Sequence, residues 1–242
     1  MSGTKIRLFV EHPLGPGQSV PLGADQAHYL FGVMRLGPGA SVALFNGRDG
    51  EWRAEVAAAG KRGGTLTCRE QTRPLLLPPD LWLLFAPIKK ARTDFIVEKA
   101  AELGAARIRP VQTDFTNSER IARDRLQAHA VEAAEQCGGT SVPEVAELQP
   151  LSRLLAAWPE GRRLLWADEA RVGPAQTLAP LPRGPWAILI GPEGGFSEPE
   201  RTRLRALPFV TPVSLGPRIL RADTAAVAAL TLWQASLGDW AG

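Results

Sequence analysis

The chain has 242 residues, 45% hydrophobic and 22% charged, with a formal net charge of +3, which is typical of a folded globular protein rather than a disordered or fibrous one. No segment approaches the roughly 18 consecutive apolar residues of a membrane-spanning helix, so we expect a cytoplasmic protein that binds no membrane. The two cysteines, Cys68 and Cys137, lack the spacing of a zinc site, and we expect both to be reduced and structural, with no metal.

The first seventy residues predict a small β-barrel-like domain. Strands are expected at 6–10, 41–45, 52–57 and 65–70, with a short amphipathic helix at 25–36. The joint 46–50 contains Asn-Gly and Asp-Gly pairs, which tolerate positive φ angles and favour a hairpin. Three prolines between Arg73 and Asp80 then predict a boundary, so we assign residues 1–73 to one domain and 80–242 to another.

Positive charge is concentrated in this first domain. Residues 1–73 hold nine lysines and arginines against six acidic residues, whereas the rest of the chain holds nineteen of each. A basic excess on a small domain is compatible with docking on RNA phosphates, although many basic surfaces only keep a protein in solution.

The second part alternates between strands and helices, a pattern typical of an α/β domain with a mostly parallel sheet. Strands are expected at 81–86, 107–111, 163–167, 186–190 and 211–215, and helices at 93–103, 119–136, 197–206 and 224–237. Thr93 or Asp94 is available as the N-cap of the first helix, and Gly104 is placed to end it. The proline- and glycine-rich stretch 173–185 predicts a long surface loop.

The segment 190–200 runs from an apolar strand through a glycine-dense turn into a helix. Ser197 and Glu200 have the spacing of a capping box, which predicts where that helix begins. The turn therefore lies at the carboxyl end of a strand, where open α/β sheets bind ligands. Phosphate-binding loops carry a basic residue, but Glu193 would repel a phosphate, so a neutral or cationic ligand such as a sulfonium fits better. By itself the turn would favour a plain strand-to-helix connection, because short glycine turns are common.

A second glycine turn follows the last predicted strand, within 213–226. Asp223 is able to cap the next helix, whose small residues 225–229 would allow close packing in the core or in a dimer. Arg218 and Arg221 lie three residues apart in the turn, where they would either be solvated or contact a nucleic acid backbone. For Arg221, between an apolar pair and a helix start, we favour a functional role.

Together, the two turns resemble the bacterial enzymes that methylate N3 of a uridine in small-subunit ribosomal RNA, a family of the SPOUT superfamily. The shared motifs are I-G-P-E-G-G-F-S-x-x-E at 190–200 and L-G-P-R-I-L-R-x-D-T-A at 215–225. The resemblance continues in R-L-F-V at 7–10, H-Y-L-F-G-V-M-R at 28–35, E-K-A-A-E-L-G at 98–104 and A-A-E-Q-C at 133–137, so it covers essentially the whole chain.

The resemblance implies a small PUA-like, RNA-binding β-barrel joined to an α/β methyltransferase domain whose chain end forms a trefoil knot. It implies S-adenosylmethionine as cofactor, small-subunit ribosomal RNA as substrate within an assembled subunit, and a homodimer. The cofactor-binding residues implied are Ile190, Gly191, Gly195, Leu215, Ile219 and Leu220. The RNA-binding residues are taken as Arg7, Arg35, Lys99 and Arg218. The sequence departs from the family at Gly139, where an Arg is usual, and at Asp223, where Glu is commoner.

The implied reaction needs a way to remove the proton from N3 of uracil. Our hypothesis is that Arg221 favours the anionic base while Glu193, Asp223 or water accepts the proton. Lys99 and Glu102 would alternatively form a plain ion pair, and Arg35 would alternatively stabilise a helix end. Two other functions stay open: methylation of a ribose 2′-hydroxyl, and a non-catalytic role as an RNA-binding ribosome assembly factor.

Overall fold

The computed structural model describes residues 6–118, 120–170, 178 and 181–241. The chain forms two compact units, Met1–Leu77 with Ala134–Val142, and Pro78–Ala133 with Pro143–Gly242. Residues 134–142, which the sequence analysis placed in the second domain, therefore lie in the first unit. The composition does not change at residue 134, so the sequence gives no sign that residues 134–142 belong to the first unit. Only their packing shows it.

The first unit is built on a five-stranded sheet. Its strands are β1 Arg7–Phe9, β2 Ser19–Leu22, β3 Ser41–Phe45, β4 Glu51–Gly60 and β5 Gly63–Arg73, in the order β1-β3-β4-β5-β2. Among the strand pairs described in this unit, only β1–β3 is parallel. Leu8 of β1 and Val20 of β2, on opposite edges, share one buried core with Leu30, so the sheet curves around that core. Strand β2, an edge strand that contains Pro21, was not predicted from the sequence.

The turn between β3 and β4 confirms the predicted hairpin. The side-chain oxygen of Asn46 accepts hydrogen bonds from the backbone N–H groups of Arg48 and Asp49, and Gly47 and Gly50 have φ angles of 73° and 74°. The predicted helix at 25–36 is realised as a short helix, α1 Ala24–Ala27, continued by a π-helical segment His28–Val33.

The second unit contains a parallel sheet, as predicted. Its strands are β6 Leu81–Phe85, β7 Arg107–Gln112, β8 Glu144–Val145, β9 Gln149–Pro150, β10 Arg163–Ala167, β11 Trp186–Ile190 and β12 Val210–Val213. The order is β12-β10-β11-β6-β7-β8, with β9 also paired to β7. Every described pair in this unit is parallel.

Five helices complete the unit, although α3 passes into the first unit at residue 134: α2 Lys90–Glu102, α3 Arg123–Cys137, α4 Leu151–Ala156, α5 Glu198–Ala206 and α6 Ala222–Leu237. Leu155 of α4 and Leu204 of α5 share a core cluster with Trp166 of β10. Helices α2 and α6 pack against each other. Ala226 and Ala229 of α6 are fully buried within the chain, so the small residues of this helix serve the core.

The ends of the helices agree only in part with those predicted from the sequence. The capping box of α5 is confirmed, and Gly104 ends α2 with a φ of 73°. The predicted N-caps of α2 and α6 are wrong. Helix α2 begins three residues before Thr93, whose hydroxyl instead bonds both backbone groups of Ile88, and α6 begins at Ala222, which puts Asp223 inside the first turn. No side-chain hydrogen bond caps α6.

The order of the strands places several loops at one edge of the parallel sheet. Strands β6, β7 and β8 follow one another towards one edge of the sheet. The later strands are added on the other side of β6, where β11 lies between β10 and β6. The carboxyl ends of β10, β11 and β12 thus meet at the reversal of strand order, the place where open α/β sheets bind ligands. The trefoil knot that the resemblance implies stays a prediction.

The helix predicted from residue 119 begins at Arg123, and Glu119 lies outside the described residues. The predicted loop 173–185 also lies largely outside them. Among the helices that are described, none is long and apolar enough to cross a membrane. Both cysteines are free thiols, with Cys68 buried and Cys137 exposed.

Candidate active site at the carboxyl edge of the parallel sheet

A pocket lies where the chain leaves β10 and β12. It is lined by Ala167, Asp168, Glu169, Val213, Leu215, Gly216, Arg218, Ile219, Leu220 and Ala225. Its walls are therefore an acidic pair on one side and the second glycine turn on the other. Apolar side chains and backbone groups form most of the lining, and two carboxylates give it a negative side.

The acidic pair is held by a buried arginine. Arg201 of α5, only 7% exposed, forms ion pairs with Asp168 and Glu169. Its Nε also donates to the backbone carbonyl of Phe196, at 3.0 Å. Arg205 lies 3.7 Å from the second oxygen of Asp168, which accepts no hydrogen bond from any described residue. The charges of the pair are thus balanced from the helix side, and Glu169, with 33% of its side chain exposed, is the member accessible to a ligand.

The first glycine turn is joined to this network through Glu169. The carboxylate of Glu169 accepts a hydrogen bond of 3.2 Å from the backbone N–H of Phe196. Gly195 has a φ of 70°, and a Cβ placed there would stand 1.9 Å from the Glu169 carboxylate. Only glycine therefore fits at this position, for both conformational and steric reasons.

Gly191 is required for a different reason. A Cβ there would lie 2.7 Å from the ring of Phe196, which is buried and packs edge-on against Trp166. The turn therefore closes tightly over its own aromatic residue. Glu193, at the outer end of the turn, is exposed.

The second glycine turn presents apolar side chains. Gly216, with a φ of 129°, donates its backbone N–H to the hydroxyl of Ser214 at 3.3 Å. Ile219 is 74% exposed although it lines the pocket, and Leu215 and Leu220 are half-buried. An aliphatic side chain left in solvent at the mouth of a pocket is typical of a surface that a ligand covers.

The structure brings together part of the predicted cofactor set. Leu215, Ile219 and Leu220 line one pocket, and Arg218, predicted as an RNA contact, lines it with them. Ile190, Gly191 and Gly195 are not among its lining residues, although Glu169 links their turn to it. Sequence reasoning missed Asp168 and Glu169. The signal was available, because an acidic pair directly follows the apolar strand β10.

The three predicted catalytic residues have different surroundings. Arg221 is exposed at the N-cap of α6, and within the described chain its side chain has no ion pair. Glu193 is equally unengaged there. Asp223 is half-buried, lies 3.7 Å from Nε of Arg92 and accepts the backbone N–H of Thr224.

Arg7, predicted to contact RNA, is half-buried, and its guanidinium is engaged inside the first unit. Its guanidinium forms an ion pair with Glu51 at 2.7 Å. It also donates to the backbone carbonyls of Ala134, Glu135 and Gly139, and stacks over Phe45. Four of its five N–H donors are used inside the unit, so Arg7 serves to hold residues 134–139 against the sheet.

The other two predicted RNA-binding residues lie at the surface. Lys99 forms an ion pair with Glu102 at 2.5 Å and lies over the ring of Phe95, so the alternative given for it is realised. Arg35 is exposed and has a φ of 55°, and no other described residue except glycine has a positive φ. Strained backbone of this kind is concentrated at functional sites.

Comparison with known proteins identifies the class of this site. A family model described as "RNA methyltransferase domain" matches residues 76–234, and one described as "RNA methyltransferase PUA domain" matches residues 22–67. The chain belongs to the RNA methyltransferase family. The predicted fold class, a PUA-like β-domain followed by an α/β methyltransferase domain, is thereby confirmed.

Individual RNA methyltransferases are similar over nearly the full length. "Ribosomal RNA small subunit methyltransferase E" of Rickettsia conorii is 28% identical over 228 residues, 93% of each chain. The structure of the enzyme of that name from Neisseria gonorrhoeae, bound to S-adenosyl methionine, has a TM-score of 0.86 at 27% identity and covers 97% of this chain and 99% of that one. A putative methyltransferase of Legionella pneumophila in complex with the same cofactor has a TM-score of 0.86 at 30% identity, covering 97% and 98%.

Proposed function

We propose that this RNA methyltransferase transfers a methyl group from S-adenosylmethionine to N3 of a uridine in the RNA of the small ribosomal subunit. The observation that carries the proposal is the pocket between the acidic pair after β10 and the turn 215–220. It lies in a chain whose fold matches that of solved relatives holding this cofactor.

The residues of the pocket suit that cofactor. S-adenosylmethionine has a sulfonium cation, an ammonium group and no phosphate, so the negative charge of Asp168 and Glu169 is compatible with it. The partly exposed carboxylate of Glu169 offers an acceptor, and the exposed side chain of Ile219 offers an apolar cover for adenine. When bound, the cofactor supplies an electrophilic methyl group.

The acceptor nitrogen must lose a proton before its lone pair is available. Arg221 stands exposed at the amino end of α6, where its charge and the positive end of the helix dipole both favour an anionic uracil. Of the candidate bases, Glu193 is unengaged within the described residues, while Asp223 lies beside Arg92. We therefore assign proton acceptance to Glu193 or to water, with Asp223 as the less available group.

Replacing Arg221 tests this assignment. Arg221→Ala is expected to lower turnover on the order of 100-fold, because a positive group that stabilises developing charge is lost. Cofactor affinity, measured by calorimetry, is expected to change little, and Arg221→Lys should recover part of the rate. Unchanged turnover in Arg221→Ala would remove the residue from the mechanism.

For RNA binding we assign the first unit and basic residues at the surface of the second. The excess positive charge of residues 1–73 and the exposed Arg35 support a phosphate-binding surface on the first unit. Lys99 and Arg218 are candidates on the second unit. We infer that the substrate is the RNA of an assembled small subunit.

A homodimer is also part of the proposal, from the family resemblance. Because one chain has a mass of 26.1 kDa, light scattering after size-exclusion chromatography is expected to give about twice that mass. A mass of one chain at micromolar concentration would contradict the homodimer.

The decisive experiment is transfer of a tritiated methyl group to purified small ribosomal subunits, followed by nuclease digestion and identification of the modified nucleoside. N3-methyluridine is expected. A mark on the ribose would favour the alternative 2′-O-methyltransferase. No cofactor binding at millimolar concentration would favour the non-catalytic assembly factor.

A further inference from the structure

An exposed aromatic residue stands beside the first glycine turn. Phe115 follows β7 in the short turn formed by residues 113–116, and it is 48% exposed. A Cβ on Gly194 would lie 3.2 Å from the Cβ of Phe115, so the two residues are immediate neighbours. Phe115 therefore adjoins the residue that directly follows Glu193, one of the two groups proposed to accept the proton.

The turn that carries Phe115 is held firmly. The backbone N–H of Thr113 donates to the hydroxyl of Thr116 at 2.9 Å, and the N–H of Thr116 donates back to the Thr113 carbonyl at 3.1 Å. The two hydroxyls are 2.9 Å apart and hydrogen-bonded. Four residues thus carry three mutual hydrogen bonds, which leaves the backbone little freedom.

The same turn is attached to the start of α5. The backbone N–H of Asp114 donates to the carboxylate of Glu200 at 3.0 Å, and the hydroxyl of Ser197 donates to the carboxylate of Asp114. Ser197 and Glu200 form the capping box that begins directly after the glycine turn. Phe115 is therefore fixed relative to Glu193 and Gly194, although the side chain itself remains in solvent.

The chemistry of the acceptor explains a rigid, exposed ring at this place. N3 of uracil is part of the edge used in base pairing, so the uridine must be unpaired and taken out of its stack before it reacts. Proteins that bind unpaired RNA replace the lost stacking with aromatic side chains. Rigid attachment lowers the entropy lost on binding.

We infer that Phe115 is the stacking platform for an unpaired base of the RNA substrate, either the target uracil or the base next to it. The inference rests on the proposed function, since it takes uridine N3 as the acceptor. A purely structural role for the ring would be to cover Gly194, and that role needs only apolar volume. Stacking needs a flat π-face, and the two roles are therefore separable by substitution at this one position.

The test is a series of four variants: Phe115→Ala, Phe115→Leu, Phe115→Tyr and Phe115→Trp. The probe is a single-stranded oligouridylate of about 12 nucleotides, with affinity measured by fluorescence anisotropy. Phe115→Ala is expected to bind the RNA about 5- to 100-fold more weakly. Phe115→Leu, the matched control for apolar volume, should lose nearly as much, whereas the Tyr and Trp variants should stay within about threefold of the unsubstituted protein.

Two further measurements separate stacking from packing. Cofactor affinity and melting temperature of Phe115→Leu are expected to equal those of the unsubstituted protein. RNA affinity of Phe115→Leu equal to that of the unsubstituted protein would overturn the inference, as would absence of RNA binding by the unsubstituted protein. The binding assay requires no methyl transfer, so the two proposals can fail separately. If all four variants bind RNA as tightly as the unsubstituted protein and that protein methylates uridine, only the stacking role is overturned. If RNA affinity depends on an aromatic residue at position 115 but the protein methylates no RNA, only the proposed reaction is overturned.

Discussion

Arg201 connects three parts of the candidate site although its own side chain is buried. Its guanidinium bonds Asp168, Glu169 and the carbonyl of Phe196, which ties the end of β10 to the glycine turn after β11. A lysine has the charge but not the forked geometry that serves these three acceptors. Arg201 is in this sense a positioning residue.

Replacing Arg201 is expected to lower both stability and cofactor affinity. Arg201→Met leaves two carboxylates without their partner, and breaking a buried pair in this way costs about 3–5 kcal/mol. Calorimetry with S-adenosylmethionine and thermal unfolding provide the measurements. Arg203→Met is the matched control, because Arg203 lies on the same helix but is exposed. If the two variants behaved alike, the positioning role of Arg201 would be excluded.

The backbone conformation of Arg35 leads to a second prediction for a single residue. It occupies a left-handed conformation that glycine adopts without strain, so Arg35→Gly is expected to keep or raise stability by about 1 kcal/mol. If the charge contacts an RNA phosphate, the same variant should bind RNA more weakly and reduce the slope of log affinity against log salt by about 1. Unchanged RNA affinity over a salt titration would assign Arg35 to helix termination alone.

At the scale of elements, the end of α2 is fixed both by its own glycine cap and by a contact with α6. The N–H groups of Gly104 and Ala105 bond the carbonyls of Ala101 and Ala100, the pattern of a Schellman cap. The amide of the buried Gln234, on α6, then donates to the Leu103 carbonyl at 2.7 Å. The glycine is thus required by its conformation and by the neighbouring helix.

A pair of glycine variants separates these two requirements. Gly104 and Gly161 have φ angles of 73° and 75°, but a Cβ at Gly104 would lie 2.7 Å from the Gln234 amide, while one at Gly161 meets nothing within 4 Å. Gly161→Ala is expected to lower the free energy of unfolding by about 1–2 kcal/mol from backbone strain alone. Urea denaturation should show a clearly larger loss for Gly104→Ala, and equal losses would mean that the α2–α6 contact adjusts freely.

Elements were predicted best where the signal is local. Strands β10 and β11 have their predicted bounds, and the α5 capping box needs only residues three positions apart. The short elements β8, β9 and α4 were missed, because two to six residues carry no measurable periodicity. They exist through pairing with β7 and burial in its neighbouring core.

At the scale of the whole molecule, the first unit contains a buried charge cluster that makes its stability depend on pH. Burial of the Glu51 carboxyl opposes its ionisation. Hydrogen bonds from Arg73 and Arg7 outweigh burial and lower its pKa from 4.5 to about 2. A lowered pKa means that the folded state favours the charged form, so the stabilisation is present above pH 4.5 and is lost as the pH falls towards 2.

The size of this effect follows from the shift. A change from 4.5 to about 2 corresponds to about 3 kcal/mol of unfolding free energy. Glu51→Gln is expected to lose about that amount at pH 7, and the difference from the unsubstituted protein should shrink as the pH is lowered from 4.5 to 2. Urea denaturation at several pH values measures it. Glu70→Gln removes an exposed ion pair with Arg53 and should change little at any pH.

The sequence by itself determined the two glycine turns, the bounds of the central strands, the hairpin and the family to which the chain belongs. Each of these depends on residues close together in the chain, or on motifs compared as strings. Tertiary structure alone decided that Arg7 bonds residues 134–139, that Asp168 and Glu169 form the acidic side of the pocket, and that Phe115 stands beside Gly194. The partner of a charged or aromatic side chain lies tens of residues away and is selected by packing, so no local pattern specifies it. The turns can therefore be predicted from the sequence. The site that they form cannot, because it exists only when the sheet brings their neighbours to one edge.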